Sequence, residues 1–170
     1  MKSPPLDIAE LVSAHQTGLW RYLRFLGCDP SLAEDLVQET FLVVLRQPFS
    51  DQGAAAAAGY LRTVARRLLI KRGTTLGREI TNNELETADA YWVSVAEPDG
   101  GDAYIVALRE CLQQLESSPR RALELQYEQK QSRSQIAGAL GYTEDSIKSL
   151  VRRARAALRI CIEGKLQHES

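Results

Sequence analysis

The sequence is poor in the residues that most often carry chemistry. Its 170 residues include three cysteines and two histidines, and Cys28, Cys111, Cys161, His15 and His168 are widely separated. Zinc sites need ligands at close spacing, and disulfide scaffolds need a dense and even set of cysteines. We therefore predict three reduced thiols in helix cores, a packed His15, no metal and no cofactor.

Longer features are missing as well. No stretch approaches the roughly 18 apolar residues that a membrane span needs. Residues 1–10 lack the basic and then apolar segments of a secretory signal, and the chain has no glycine-rich phosphate loop and no clustered nucleophile and base. These absences argue against a membrane protein and against an enzyme, and they favour a cytoplasmic binding protein.

Charge is sorted along the chain, although the net charge is only −1. Residues 29–39 carry four acids and no base, and residues 60–72 carry five bases and no acid. Residues 73–101 carry six acids and one base, net −5, and residues 148–159 carry five bases and no acid. Such sorting indicates separate segments that meet differently charged partners.

Apolar residues recur at helical spacing in the first part of the chain, and no strand pattern is present. The pattern predicts a helix over 8–26 with a capping box at Asp7. It predicts a second helix that Asp29 caps and Pro30 opens, where a missing N–H costs nothing. A third helix is expected from the alanine run 54–58 to about Arg72.

The last part of the chain is also predicted to be helical. We expect a helix over 102–115 and another that Ser118 and Pro119 open. A short helix follows, with a capping box at Ser132 and a stop at Gly141. A long helix capped by Thr143 then runs to about residue 162.

Residues 73–101 break this pattern and end in the strong turn signal EPDGG. We predict an acidic flexible linker with a helical turn near residues 91–95, and Tyr91 and Trp92 suggest that it docks transiently. The predicted fold class is all-α, with two small helical domains at 1–72 and 102–170 joined by the linker at 73–101. Its acids are expected to fold back on the basic helices and weaken DNA binding; those singled out are Glu84, Glu86, Asp89 and Glu97.

Residues 132–155 follow the plan of a helix-turn-helix, whose second helix enters the major groove of DNA. Ile147, Leu150 or Val151, and Ala154 are expected to hold this helix to its domain. Its candidate DNA contacts are Glu144, Asp145, Ser146, Lys148, Ser149, Arg152, Arg153, Arg155 and Arg159. The alternative is a basic helix that faces only solvent.

Two motifs carry a family resemblance. Residues 115–157, with Ser132, QIA at 135–137, LG at 140–141, IKS at 147–149 and RAR at 153–155, resemble region four of the extracytoplasmic-function (ECF) class of bacterial sigma factors, in the sigma-seventy superfamily. The run AEDLVQETF at 33–41 resembles the region-two signature of the same class. A LuxR-type regulator shares the first motif but not the second.

The resemblance implies a function in transcription initiation without nucleotide hydrolysis. The chain would direct core RNA polymerase to promoters through the β′ clamp helices and the β flap, and a cognate anti-sigma factor would be a further partner. The implied polymerase-binding residues are Asp35, Gln38, Glu39 and Phe41. For Phe41 a position in the core is the better interpretation of the residue alone.

The resemblance also divides the promoter contacts between two helices. The upstream element would meet Glu144, Ser146, Lys148, Ser149, Arg152, Arg153 and Arg155. The downstream element would meet Arg62, Arg66, Arg67 and Lys71, and the loop 46–59 corresponds to the family's base-capturing loop. Asn and Asp are common in the family where Arg67 and Lys71 stand, so this helix is suited to phosphates more than to bases.

Two other functions stay open at this point. A free-standing dimeric DNA-binding regulator would bind its site without polymerase and would need no role for Asp35 or Glu39. A helical protein-interaction module would tolerate changes at Lys148 and Arg152.

Overall fold

The computed structural model describes residues 7–47, 53–73, 81–96 and 99–168, and every regular element within these ranges is an α-helix. The prediction of an all-α fold is confirmed. The chain divides into two compact units, Met1–Gly101 and Asp102–Ser170. The first contains α1 (Ile8–Phe25), α2 (Pro30–Arg46), α3 (Ala54–Lys71) and α4 (Asn82–Ala96), and the second contains α5 (Asp102–Gln114), α6 (Ser117–Tyr127), α7 (Arg133–Leu140) and α8 (Glu144–His168). None of the described helices is long and apolar enough to cross a membrane.

The first helices begin where their capping residues predict. The Oδ1 atom of Asp7 accepts hydrogen bonds from the backbone N–H groups of Ala9 and Glu10, at 2.9 and 3.3 Å. Asp29 accepts from the N–H of Leu32 at 2.9 Å, and Pro30 occupies the first position of α2. Each carboxylate satisfies N–H groups that the first turn of a helix leaves without a partner.

The core of the first unit lies where α2 packs against both α1 and α3. Its largest fully buried side chains include Tyr22 and Leu23 of α1, Leu36 of α2 and Leu61 of α3. These residues come from the apolar stripes that the helical spacing predicts, so packing of three amphipathic helices fixes the positions of the polar residues on their outer faces.

The structure differs from the prediction of a flexible linker, because most of that segment is the helix α4. Leu85, Trp92 and Ala96 are buried in the core of the first unit. The Trp92 ring lies 5.7 Å from the Tyr22 ring and 5.5 Å from the Phe25 ring. Trp92 is therefore part of the core, and the half-buried Tyr91 stacks on Phe25 with 6.0 Å between the ring centres.

The sequence contains a signal for α4 that the charge pattern obscures. Thr81 and Glu84 form a capping box: the Thr81 N–H donates to Glu84 Oε2 at 2.9 Å, and the Glu84 N–H donates to Thr81 Oγ1 at 3.2 Å. This arrangement is a signature of a helix start. Leu85, Ala88 and Trp92 then follow at helical spacing, so the helix brings a narrow apolar stripe to the core.

In the second unit, α5, α6 and α7 all pack against α8. Two boundaries differ from prediction. The helix α6 begins at Ser117 after Glu116, which makes no side-chain capping bond, so Ser118 and Pro119 lie inside the first turn. The helix α8 continues to His168, beyond the predicted end near residue 162, and Leu166 in this extension packs against the core of the second unit.

The prediction of three reduced cysteines is wrong for two of them. A disulfide joins Cys111 of α5 to Cys161 of α8, with 6.0 Å between their Cα atoms. Only Cys28 is a free thiol, and it is buried. The packing of α5 along α8 brings together two cysteines that are 50 residues apart, and that proximity is not visible in the spacing of the sequence.

Candidate nucleic-acid interface

The turn of the predicted helix-turn-helix is built by local hydrogen bonds. The Ser132 N–H donates to Gln135 Oε1 at 2.8 Å, and the Gln135 N–H donates to Ser132 Oγ at 3.2 Å, which confirms the capping box. Gly141 ends α7 at φ 72°, in the left-handed region where a side chain would be strained. Thr143 Oγ1 then accepts the N–H of Ser146 at 3.2 Å and starts α8.

One face of α8 holds the helix to its unit. Ile147, Val151 and Ala154 are buried, and Leu150 is half-buried. The expected anchors are therefore confirmed, with Val151 rather than Leu150 at the buried position. The 25 residues of α8 span about 37 Å at 1.5 Å per residue, enough to cross a major groove and continue past it.

The opposite face of α8 carries the candidate DNA contacts. Ser149 is half-buried, and the other members of the set are exposed: Glu144, Ser146, Lys148, Arg152, Arg153 and Arg155. Among residues 99–168 the ion pairs of this helix lie further along, at Arg159–Glu163 (3.2 Å) and Lys165–Glu110 (2.6 Å). The four cations of the set are therefore open to solvent and available to an anionic partner.

The predicted downstream-element helix, α3, is arranged differently, and its first arginine is buried. Arg62 is 8% exposed. Its guanidinium lies 6.0 Å from the centre of the Tyr22 ring, and its Nε donates to Asp89 Oδ1 of α4 at 3.1 Å. The structure therefore assigns Arg62 a packing and pairing role inside the first unit, and not the exposed position that a phosphate contact requires.

Arg66, one turn further on, lies at the edge of the same cluster. Its Nη1 is 3.7 Å from the other carboxylate oxygen of Asp89, and its side chain is 22% exposed. Asp89 thus contacts both arginines. Burial raises the pKa of Tyr22 far above the usual tyrosine range, and the charge of Asp89 raises it further, so Tyr22 stays neutral in this cluster.

The remaining bases of α3 face outward. Arg67 and Lys71 are exposed. Ala54–Gly59, which was expected to belong to a base-capturing loop, is helical and opens α3. Residues 48–52 of that expected loop lie outside the described residues. The open part of the predicted downstream surface therefore consists of Arg67 and Lys71, with Arg66 at its inner edge.

The acids of α2 also have partners within the unit. Arg72, just after α3, donates to Glu39 Oε2 at 2.7 Å and lies 3.7 Å from Asp35 Oδ2. Both acids keep substantial exposure, 62% for the Asp35 side chain and 39% for that of Glu39. An exposed pair of this kind is weak, so the acids can exchange Arg72 for another cation.

A mixed polar and apolar stripe runs along α2. Asp35, Gln38, Leu42 and Leu45 follow at spacings of three and four residues and so share one face of the helix. Gln38 is exposed, and Leu42 and Leu45 are 50% and 52% exposed. Neither leucine is among the docking residues that the sequence predicts, and Leu45 was expected on the apolar face of the helix, although their spacing from Asp35 and Gln38 gives the signal. Because the two exposed leucines lie next to each other on one face, they make this face a candidate protein-binding surface.

Phe41 lies on the inner side of the same helix. It is 7% exposed and belongs to the core cluster of the first unit. The structure thus matches the interpretation of this residue as a core residue. Phe41 contributes to the α2 surface by fixing the helix in place and not through a surface of its own.

Comparison with family models identifies both units. The model described as Sigma-70 region 2 matches residues 11–79, and the model described as Sigma-70, region 4 matches residues 105–158. The first match covers most of α1 and all of α2 and α3, and the second covers most of α5 to α8. The two resemblances noted in the sequence are therefore found independently in the same order.

Curated relatives extend the similarity over nearly the whole chain. The ECF RNA polymerase sigma factor SigL of Mycobacterium tuberculosis is 31% identical over 157 residues, which cover 90% of this chain and 87% of that protein. The RNA polymerase sigma-E factor of Streptomyces avermitilis is 28% identical over 160 residues, which cover 94% and 87%.

Two solved structures are also similar. One is the RsbN–BldN complex, with 23% identity, coverage of 90% of this chain and 89% of the other, and a TM-score of 0.34. The other is the sigma factor RpoE with the anti-sigma factor NepR from Bartonella quintana, with 23% identity, coverage of 92% and 97%, and a TM-score of 0.34.

Proposed function

Because the chain belongs to the ECF class of sigma-70 factors, and so directs core RNA polymerase to specific promoters and assists their opening, we propose which of its surfaces carries out each step. The observation that carries the assignment is the division of charge in the structure. One acidic and apolar face lies on α2, and two separate basic faces lie on α3 and α8.

The face of α2 is the proposed site of polymerase docking. Asp35, Gln38 and Glu39 supply acceptors, and Leu42 and Leu45 supply apolar area. Docking on a basic and apolar partner surface such as the β′ clamp helices would replace the weak pairs with Arg72 by pairs that are shielded from water. The β flap is the proposed contact of the second unit.

The exposed face of α8 is the proposed reader of the upstream element. Lys148 and Arg152 lie in its first turns, where a recognition helix touches base edges, and lysine and arginine are the side chains that read guanine. Glu144, Ser146 and Ser149 lie beside them. Arg153 and Arg155 are exposed further along, where phosphate contacts would fix the position of the helix.

The proposed downstream contact is made by Arg66, Arg67 and Lys71 of α3. A helix with two exposed cations and a third at their inner edge suits the backbone of a single strand, whose binding depends strongly on charge. Arg62 stabilises this surface from inside the first unit, because its guanidinium pairs with Asp89 and lies against the Tyr22 ring.

We also propose a cognate anti-sigma factor as a partner, since control by such a factor is common in the class. It would cover exposed apolar surface such as Leu42 and Leu45. Purification of the chain from its source cell under inactive conditions should then yield a complex, and isolation of the chain alone would count against this partner. The chain would act in the cytoplasm, by binding and without catalysis.

The docking proposal is tested by pull-down of bacterial core RNA polymerase with the full chain. The variant Asp35→Lys/Glu39→Lys is expected to lose most of the binding. The matched control is Glu10→Lys/Glu86→Lys, which reverses two exposed acids on α1 and α4 and should bind as the wild type does. Equal binding by both variants would remove α2 from the docking surface, and no binding by the wild type would contradict the docking proposal as a whole.

A further inference from the structure

Asp89 lies on α4, the helix that follows α3 in the chain, and it pairs with two arginines of α3. Asp89 of α4 uses both of its carboxylate oxygens, one at 3.1 Å from Arg62 Nε and the other at 3.7 Å from Arg66 Nη1. The two arginines lie one turn apart on α3. A single carboxylate therefore bridges a buried cation and a partly exposed one.

The two arginines depend on Asp89 in different ways. The Arg62 side chain is 10% exposed and lies against Tyr22, so its charge needs a buried partner. The Arg66 side chain is 22% exposed, and its contact with Asp89 is the longer of the two. Arg62 thus fixes the position of Asp89, whereas Arg66 is free to move away from it.

The position of Asp89 is also fixed by the packing of its helix. Trp92, less than one turn further along α4, is buried against Tyr22 and Phe25. Leu85, one turn before Asp89, is 3% exposed. This packing holds the backbone at Asp89 beside α3, and the hydrogen bond from Arg62 holds the carboxylate, so an anion that approaches Arg66 meets a nearby negative charge.

From this geometry we propose that Asp89 sets the DNA affinity of α3 by competing with the promoter phosphates for Arg66. The Asp89 carboxylate, 3.7 Å from Arg66 Nη1, offsets part of the positive charge that a phosphate would meet at this guanidinium, so Arg66 attracts the phosphate less strongly while Asp89 is charged. The proposal rests on the assignment of α3 to the downstream element. Among the acids of α4, Glu84 caps the helix and Glu86 is exposed, whereas Asp89 contacts the arginines of α3.

The test is fluorescence anisotropy of a labelled 20-nucleotide single-stranded DNA of mixed sequence with the full chain, alone and bound to core polymerase. Asp89→Asn should tighten binding roughly two- to fivefold, the range expected for release from one partly exposed ion pair. The slope of log binding constant against log salt concentration should become steeper by about 0.7, the value for one additional phosphate contact on a single strand. Glu86→Gln, which removes the same charge from an exposed position on α4, is the matched control.

A second comparison assigns the gain to Arg66. In an Arg66→Ala background, Asp89→Asn should no longer tighten binding. The Asp89→Asn change leaves the buried Arg62 without its partner and can unfold the unit. In that case both partners of the buried pair are replaced together, as Arg62→Met/Asp89→Asn. This double variant should bind DNA more tightly than Arg62→Met alone.

The possible results separate this proposal from the assignment beneath it. If Arg66→Ala weakens DNA binding but Asp89→Asn has no more effect than Glu86→Gln, Asp89 is not a competitor and the role of α3 stands. If Arg66→Ala and Arg67→Ala leave DNA binding unchanged, α3 is not the downstream contact, and both proposals fall.

Discussion

The basic helices α3 and α8 look alike in sequence and differ in the folded protein. Residues 148–159 of α8 carry five bases and no acid, and residues 60–72, which are part of α3 and Arg72 just after it, carry the same number. In α8 the candidate DNA contacts Lys148 and Arg152 are exposed and have no ion pair within 99–168. In α3 the corresponding residues Arg62 and Arg66 are paired with Asp89. Local charge therefore predicts where cations occur, whereas the tertiary partner decides which of them are open to DNA.

Under the proposed assignment of the two DNA surfaces, this difference predicts an order of contacts during initiation. An open basic face on α8 can search duplex DNA through phosphate contacts from the start. The face of α3 is partly neutralised, so it binds DNA more weakly. Its cations contact phosphates only when a strand is held against the helix. In this account the first unit is a late contact and the second unit an early one.

The largest effect is expected from removing the residue that holds α4 in place. Trp92→Ala should lower the free energy of unfolding by about 3–5 kcal/mol, the usual cost of deleting a buried tryptophan. Val93→Ala, at the adjacent and exposed position, should change it by less than about 0.5 kcal/mol. Urea denaturation followed by circular dichroism measures both. A loss below about 1 kcal/mol for Trp92→Ala would mean that α4 is not held in the core. The prediction of a flexible linker would then stand, and the contrast between α3 and α8 would be lost.

The next effect concerns the second unit, which alone contains a disulfide among the described residues. Reduction of Cys111–Cys161 should lower the free energy of unfolding by about 4 kcal/mol, since the bridge closes a loop of about 50 residues in the unfolded chain. Urea denaturation with and without a phosphine reductant measures this free energy, and Cys111→Ala/Cys161→Ala serves as a variant that cannot form the disulfide. Titration of three free thiols in the denatured, unreduced protein would contradict the prediction.

A third effect sharpens the comparison directly. Lys148→Ala and Arg152→Ala should each weaken promoter binding by the holoenzyme by about 1–3 kcal/mol if they read bases, while the stability of the chain stays unchanged. Arg121→Ala on α6, which removes an exposed cation paired with Glu124, serves as the control. Gel-shift titrations and thermal melts measure the two quantities. Unchanged binding by both variants would favour an interaction module over a DNA reader.

The smallest effect is a dependence on alkaline pH in the first unit. Burial, with a further contribution from the charge of Asp29, raises the pKa of Cys28 from 9.0 to about 11. Because the pKa of Cys28 is higher in the folded than in the unfolded protein, the neutral thiol contributes stability that is fully present below pH 9. This contribution is lost as the pH rises towards 11, and the loss amounts to about 1 kcal/mol at pH 10. Unfolding at pH 8 and pH 10 should therefore show a larger loss for the wild type than for Cys28→Ala. Equal losses would mean that Cys28 is not protected by burial.

Much of the fold could be predicted because its helix ends are set by local chemistry. Asp29, Ser132 and Thr143 cap their helices as the sequence indicates, and Gly141 stops α7 in the left-handed conformation. These signals act over three or four residues, so no knowledge of the tertiary structure is needed to use them.

What the sequence analysis missed depends on contacts between distant residues. The helix α4 carries three acids in its first half, Glu84, Glu86 and Asp89, which favour solvent exposure, whereas the burial of its apolar residues depends on packing against α1. The burial of Arg62 is explained by the same helix, although its position three and seven residues before the buried Ala65 and Leu69 is a usable signal. The disulfide depends on the packing of α5 along α8, which the spacing of the cysteines does not reveal.

The central claim is that this chain gives core RNA polymerase its promoter specificity, and transcription of source-cell genomic DNA in vitro tests it most directly. Core polymerase reconstituted with the chain should start at a discrete set of sites that share two sequence elements at a fixed spacing upstream. The Asp35→Lys/Glu39→Lys variant should abolish these starts together with polymerase binding. Start sites identical to those of core polymerase alone would contradict the claim.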